Sequence, residues 1–106
     1  MIQIDVLTQD SKILKIEVSG HAYSGEPGFD LVCAGVSSIA VGALNAFDEL
    51  GQDCNLILDE SPYIKIECKG DHKENQLMMN FLLTQFKTVE AVHHEHIKIN
   101  MKEESQ

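Results

Sequence analysis

Tryptophan is absent, proline occurs twice, and only 6% of the residues are aromatic. No stretch approaches the roughly 18–20 apolar residues of a membrane span, so the chain is read as one that does not contact a membrane. Basic residues are scarce: eight Lys and Arg stand against 17 Asp and Glu, for a formal charge of −9. Phosphate backbones are bound by cations that neutralise them, so direct nucleic-acid binding is not expected. A basic partner suits this field better. Cysteine is also sparse. Cys33, Cys54 and Cys68 are odd in number, widely spaced and without a C-x-x-C pair, which does not make a disulfide framework. The opening MIQIDVLTQD lacks the basic region and apolar run of a secretory signal. Together these absences predict a cytoplasmic protein with reduced thiols.

What is present is ordinary for a folded domain: 106 residues, 43% hydrophobic and 24% charged. A chain of that length forms one domain over residues 1–106, burying about 60–70% of its unfolded surface. Ile2, Ile4 and Val6 alternate with polar residues, as do Leu14, Ile16 and Val18, so two strands in a hairpin are expected, with a turn over residues 8–11. Asp30 suits a helix N-cap. Val32, Val36, Ile39, Ala40, Ala43, Leu44, Phe47 and Leu50 then recur at helical spacing, and Gly51 supplies a stop. Strands are expected over 55–60 and 63–69 with a turn at Ser61 and Pro62. A second helix is expected over 73–92, with Leu82, Phe86 and Val89 on one stripe. A last strand carries Ile97, Ile99 and Met101, and the tail KEESQ is expected to fray. The order strand-strand-helix-strand-strand-helix-strand predicts an α+β fold of two or three layers. Two helices would pack with a mainly antiparallel mixed sheet.

Residues 20–29, GHAYSGEPGF, hold three Gly and one Pro and form a loop longer than a hairpin requires. Such a loop is expected to be mobile when empty and to order over a ligand. His21 opens it, and Cys33 follows three residues after the proposed cap. A free thiol has a pKa near ~8.5 and is mostly protonated at neutral pH. A helix N-terminus favours the thiolate by about 0.3–1 kcal/mol, which is less than one pKa unit at ~1.36 kcal/mol each. The acidic surface opposes it. A cationic imidazole is therefore needed, and His21 is the His near Cys33 in sequence. Ser37 lies one helical turn beyond Cys33 on the same face. Backbone N–H groups at the helix start are available for an oxyanion. The bland alternative is a buried thiol in an apolar helix beside a polar loop.

The segment GHAYSGEPGFDLVCAGVSS resembles the signature of the bacterial ribosomal-processing cysteine protease family. That signature runs G-H-A, a Gly-containing loop, then G-x-D-[IL]-V-C-A-[AG]-x-S. It is met by Gly20, His21, Ala22, Gly28, Asp30, Val32, Cys33, Ala34, Gly35 and Ser37, with Leu31 where Ile is frequent. Length, strand order and the acidic second half also fit. The resemblance implies a cysteine endopeptidase that trims the N-terminal extension of large-subunit ribosomal protein number twenty-seven, after an aromatic pair. It implies His21 as base and Cys33 as nucleophile, with Gly20, Asp30 and Ser37 in support. Tyr23 and Phe29 stand at the ends of the loop, where they could contact the aromatic pair. It implies no cofactor, a basic ribosomal protein precursor as partner, and a homodimer. The alternative is a non-catalytic ribosome-assembly or binding module, and a thiol switch at Cys33 lacks a resolving thiol placed near it. The run His93, His94, Glu95, His96 is read as a helix C-terminus rather than a metal site, because adjacent His side chains diverge. Cys54 and Cys68 are read as structural.

Overall fold

The computed structural model describes residues 1–20, 29–60 and 63–105, with residues 29 and 30 described by their backbone alone. Its elements are β1 (Ile2–Gln9), β2 (Lys12–Ser19), α1 (Phe29–Leu50), β3 (Cys54–Asp59), β4 (Tyr63–Cys68), α2 (Lys73–Val92) and β5 (Ile97–Glu103). The expected order is the observed one. The sheet runs β3-β4-β2-β1-β5. All its pairings are antiparallel except that of β1 with β5. It is therefore mixed and mainly antiparallel.

Strand alternation decides how the layers form. Ile2, Ile4 and Val6 of β1, Ile64, Ile66 and Cys68 of β4, and Ile97 of β5 are buried and share one cluster with Val32, Val36, Ala40 and Phe47 of α1 and Met79, Leu82 and Phe86 of α2. The intervening strand residues, such as Gln3, Asp5, Lys65 and Glu67, point the other way. Both helices therefore cover one face, α1 over β3 and β4 and α2 over β2 and β5, which makes two layers. The β1–β2 turn is tighter than expected. Only Asp10 and Ser11 lie between the strands, and both have positive φ (50° and 68°). Two central residues with positive φ match the twist of a two-residue hairpin.

Several expectations need correction. The helix begins at Phe29, so Asp30 lies inside its first turn instead of capping it. Gly51 does end α1, donating its N–H to the Phe47 carbonyl at 2.9 Å, but its φ is not positive. What requires glycine there is space, because a Cβ would lie 2.6 Å from the Phe47 oxygen and 2.9 Å from Cys54 Sγ. Leu50, assigned to the apolar stripe, is exposed. The tail is better held than expected: Lys102 and Glu103 extend β5 against Leu7 and Thr8, and the Glu104 N–H donates to the Thr8 carbonyl at 2.7 Å. Finally, residues 31–50 are long and apolar enough by length and composition to cross a membrane, contrary to the sequence reading. Ala, Gly, Val and Leu raise the hydropathy of this helix, while its Val32–Val36–Ala40–Phe47 stripe lies in the core under the sheet.

Candidate active site

Cys33 is the fifth residue of α1, one turn in from its start. It is half-buried and packs against the core cluster, with Val32 fully inside beside it. Four residues on, Ser37 falls on the same helical stripe and is exposed. The two line a cavity of about 60 Å³ together with Gly20, Ile2, Val18, Val36, Ala40 and Ile64. Sheet geometry supplies the far walls: Val18 and Ile64 are paired across β2 and β4, and Ile2 begins β1. The thiol thus sits at the rim of a small apolar notch between the start of α1 and the end of β2.

Gly20 ends the described chain before residue 29 at the wall of this notch. Its φ is +82°, and a Cβ there would lie 2.5 Å from the Met1 carbonyl oxygen. Positive φ and backbone crowding both exclude any side chain. The glycine read from the motif is therefore fixed by two independent constraints at a position that borders Cys33.

Of the residues singled out from the sequence, Gly20, Cys33 and Ser37 are brought to one cavity. Phe29 and Asp30 are placed by backbone in the first turn of α1. His21 and Tyr23 lie outside the described residues, as does the loop over 22–28 whose ordering was expected. Sequence reasoning missed Ile2, Val18 and Ile64 as walls of the site. Strand alternation put them on an inner face, but only the strand order puts that face beside Cys33.

The histidine run is dispersed. The N–H of His93 closes α2 on the Val89 carbonyl at 2.8 Å, and His96 is buried while His94 is exposed. These residues follow the helix in a turn, so they do not share a helical face. Among the described residues no group of three His, Cys, Asp or Glu could hold a metal ion. The outer face of the sheet carries a polar pair instead: Tyr63 donates its hydroxyl hydrogen to Glu17 Oε2. That bond holds the Glu17 carboxyl below the usual carboxylate range and pushes the Tyr63 phenol up to about 12.

The sequence profile described as Cysteine protease Prp matches residues 1–98. A Staphylococcus aureus protein, the ribosomal processing cysteine protease Prp, is 32% identical over 96% of this chain and 100% of its own length. Two crystal structures of that S. aureus protease are similar to this fold. One, in complex with a substrate peptide, gives a TM-score of 0.87 at 30% identity, covering 96% of this chain and 100% of the other. The other holds a covalently linked product peptide and gives a TM-score of 0.85 at 31% identity, with the same coverage.

Proposed function

Because the chain belongs to the cysteine protease Prp family, and by that membership is a cysteine protease, we propose that Cys33 is its nucleophile and His21 its general base, acting on the N-terminal extension of a ribosomal protein precursor. The observation that carries this reading is the cavity shared by Gly20, Cys33 and Ser37. Gly20 brings the chain to that wall immediately before His21. A thiol there stands on a rigid helix with open space beside it. The S. aureus relative whose structure holds a covalently linked product peptide makes a covalent route natural for this chain as well.

In this reading the Cys33 sulfur, its proton taken by His21, attacks the scissile carbonyl carbon. The developing oxyanion is met by helix N–H groups. The N–H groups of a helix's first three residues have no intrahelical acceptor, and in α1 these are the N–H groups of residues 29–31. Collapse releases the amine, which takes the proton from His21, and leaves a thioester. Water, deprotonated by His21, then hydrolyses it and frees the thiol. Ser37 lies within the same cavity to contact the imidazole or the substrate, and Asp30, Tyr23 and Phe29 flank it in sequence. The extension in question is that of large-subunit ribosomal protein number twenty-seven, a basic partner for a chain of charge −9.

The same reading places the enzyme in the cytoplasm, in keeping with its three cysteines being free thiols in the structure. It also makes the protein a homodimer. Supporting that is an apolar groove between α1 and α2, flanked by Leu77 and Phe81, which are 74% and 66% exposed.

Cleavage of a peptide spanning the precursor extension tests the proposal. Cys33→Ala should abolish turnover while Cys54→Ser keeps most of it. His21→Ala should lower turnover by about 10²–10⁴-fold and slow alkylation of Cys33 at neutral pH. Retained cleavage by Cys33→Ala would overturn the assignment of the nucleophile. An unchanged alkylation rate in His21→Ala would remove His21 as the base.

A further inference from the structure

Cys54 opens β3 and Cys68 closes β4, and the two are directly opposite in the antiparallel register. Their Sγ atoms are 2.6 Å apart, and both are free thiols. Just beyond them, Lys69 donates its N–H to the Asp53 carbonyl at 2.9 Å. Antiparallel pairs alternate between hydrogen-bonded and non-hydrogen-bonded, so Cys54 and Cys68 occupy the closer, non-hydrogen-bonded kind, with Cα atoms about 4.5 Å apart. That falls within the 4.4–6.8 Å span typical of cystines. The side chains point to the same face because register fixes them there. Access is unequal: Cys68 is 6% exposed and Cys54 is partly exposed. Cys33 is excluded from this pair. It lies near the other end of α1, about 25 Å from Leu50 along a helix rising 1.5 Å per residue.

We propose that Cys54 and Cys68 form a modification site, a dithiol that small soluble disulfides such as oxidised glutathione convert to an intramolecular cystine independently of the Cys33 site. The more exposed Cys54 gives up its proton to solvent and attacks one sulfur of the small disulfide. The oxidant's S–S bond breaks, a mixed disulfide forms on Cys54, and one small thiolate leaves and takes up a proton. Cys68 then loses its proton, attacks Cys54 Sγ and expels the second small thiolate. Two protein thiols are oxidised and one small disulfide is reduced to two small thiols. Burial and the neighbouring Cys54 push the Cys68 thiol well above its ordinary pKa, so the second step quickens as pH rises. The cystine would tie the edge strand β3 to β4 where α1 hands over to the sheet.

The test uses the full chain carrying Cys33→Ser, which leaves this pair as the only thiols, with folding checked by circular dichroism. The protein is equilibrated with glutathione mixtures from fully reduced to fully oxidised, acid-quenched, alkylated and analysed by mass spectrometry. The expected result is loss of two hydrogens, no alkylation, and a reductant-sensitive link between the peptides holding residues 54 and 68. With Cys54→Ser added, that species should vanish and Cys68 should be alkylated or carry one glutathionyl group. Two alkylated thiols throughout the series would overturn the proposal. So would glutathionyl adducts that persist at equilibrium on the Cys33→Ser chain, or a cystine joining two chains.

Discussion

Tyr63, opposite Ser19, and Glu17, opposite Lys65, are diagonal neighbours across β4 and β2 on the sheet surface away from the helices, and their hydrogen bond ties the first residue of β4 to β2. Lys15 lies 3.2 Å from the same carboxylate and adds to the lowering of the Glu17 pKa. The signs of the two shifts define two pH windows. Tyr63 is held near 12 against an ordinary 10, so its contribution is complete below pH 10 and is lost as pH rises from 10 through 12. Glu17 is held below its ordinary 4.5, so its contribution is present above that value and is lost as pH falls through the lowered one. Tyr63→Phe should therefore cost about 1 kcal/mol near neutrality. Urea unfolding at several pH values should also show a shallower loss of stability than the parent in both windows. Parallel curves for the two proteins would show that the bond does not set the pH dependence. At the same scale Gly20 shows how little freedom the active-site border has, since one methyl group there would collide with the Met1 carbonyl.

Elements in this fold are joined by side-chain amides that stand in for missing backbone partners. Asn75, buried in the first turn of α2, accepts the Gln52 N–H at 3.1 Å and donates to the Gln52 carbonyl at 2.6 Å. That closes the connection from α1 to β3. Its neighbour Gln76 does the same for Ile13, beyond the end of the β2–β4 pairing, at 2.9 and 2.8 Å. Glu90 accepts the Ile99 N–H on the outer edge of β5 at 2.6 Å. Together these contacts satisfy strand groups that would otherwise be open. Asn75→Ala would leave the Gln52 N–H without its partner and the Gln52 carbonyl with only the Cys54 thiol, 3.3 Å away, in a partly buried setting. An unpartnered buried group costs about 1–3 kcal/mol, so a loss of that size is expected in equilibrium unfolding. A loss under about 0.5 kcal/mol, the size of a neutral surface change, would mean that water serves Gln52 as well as Asn75 does. None of these bonds follows from periodicity. Asn75 and Gln76 read in sequence only as polar positions near a helix start, and their partners lie 23 and 63 residues away.

At the scale of the whole molecule, 17 acidic residues against 8 basic ones give a field that attracts a basic peptide. Exposed charges are screened beyond about 10 Å at 0.1 M salt. For a basic extension peptide, kcat/KM should fall several-fold as salt rises from about 0.05 to 0.5 M, mostly through KM, while an acidic analogue should not lose rate. A flat profile with the basic peptide would leave the charge as a solubility feature only.

The sequence by itself determined the element order, the span of α2 and the mixed sheet, because apolar periods of 2 and 3.6 act over neighbouring residues. It also determined the motif around Cys33, because residue types at fixed spacing carry it. Contacts between residues distant in sequence were beyond it. Strand order decided that Ile2, Val18 and Ile64 wall the cavity beside Cys33. Crowding by the Phe47 carbonyl and Cys54 Sγ, not a left-handed backbone, decided why Gly51 is glycine. The pairing of Cys54 with Cys68 stood at the boundary. The two are equally distant in sequence from Ser61, so the hairpin register was implicit in the spacing. Yet register becomes definite only when one face of each strand is buried, and tertiary packing chose that face.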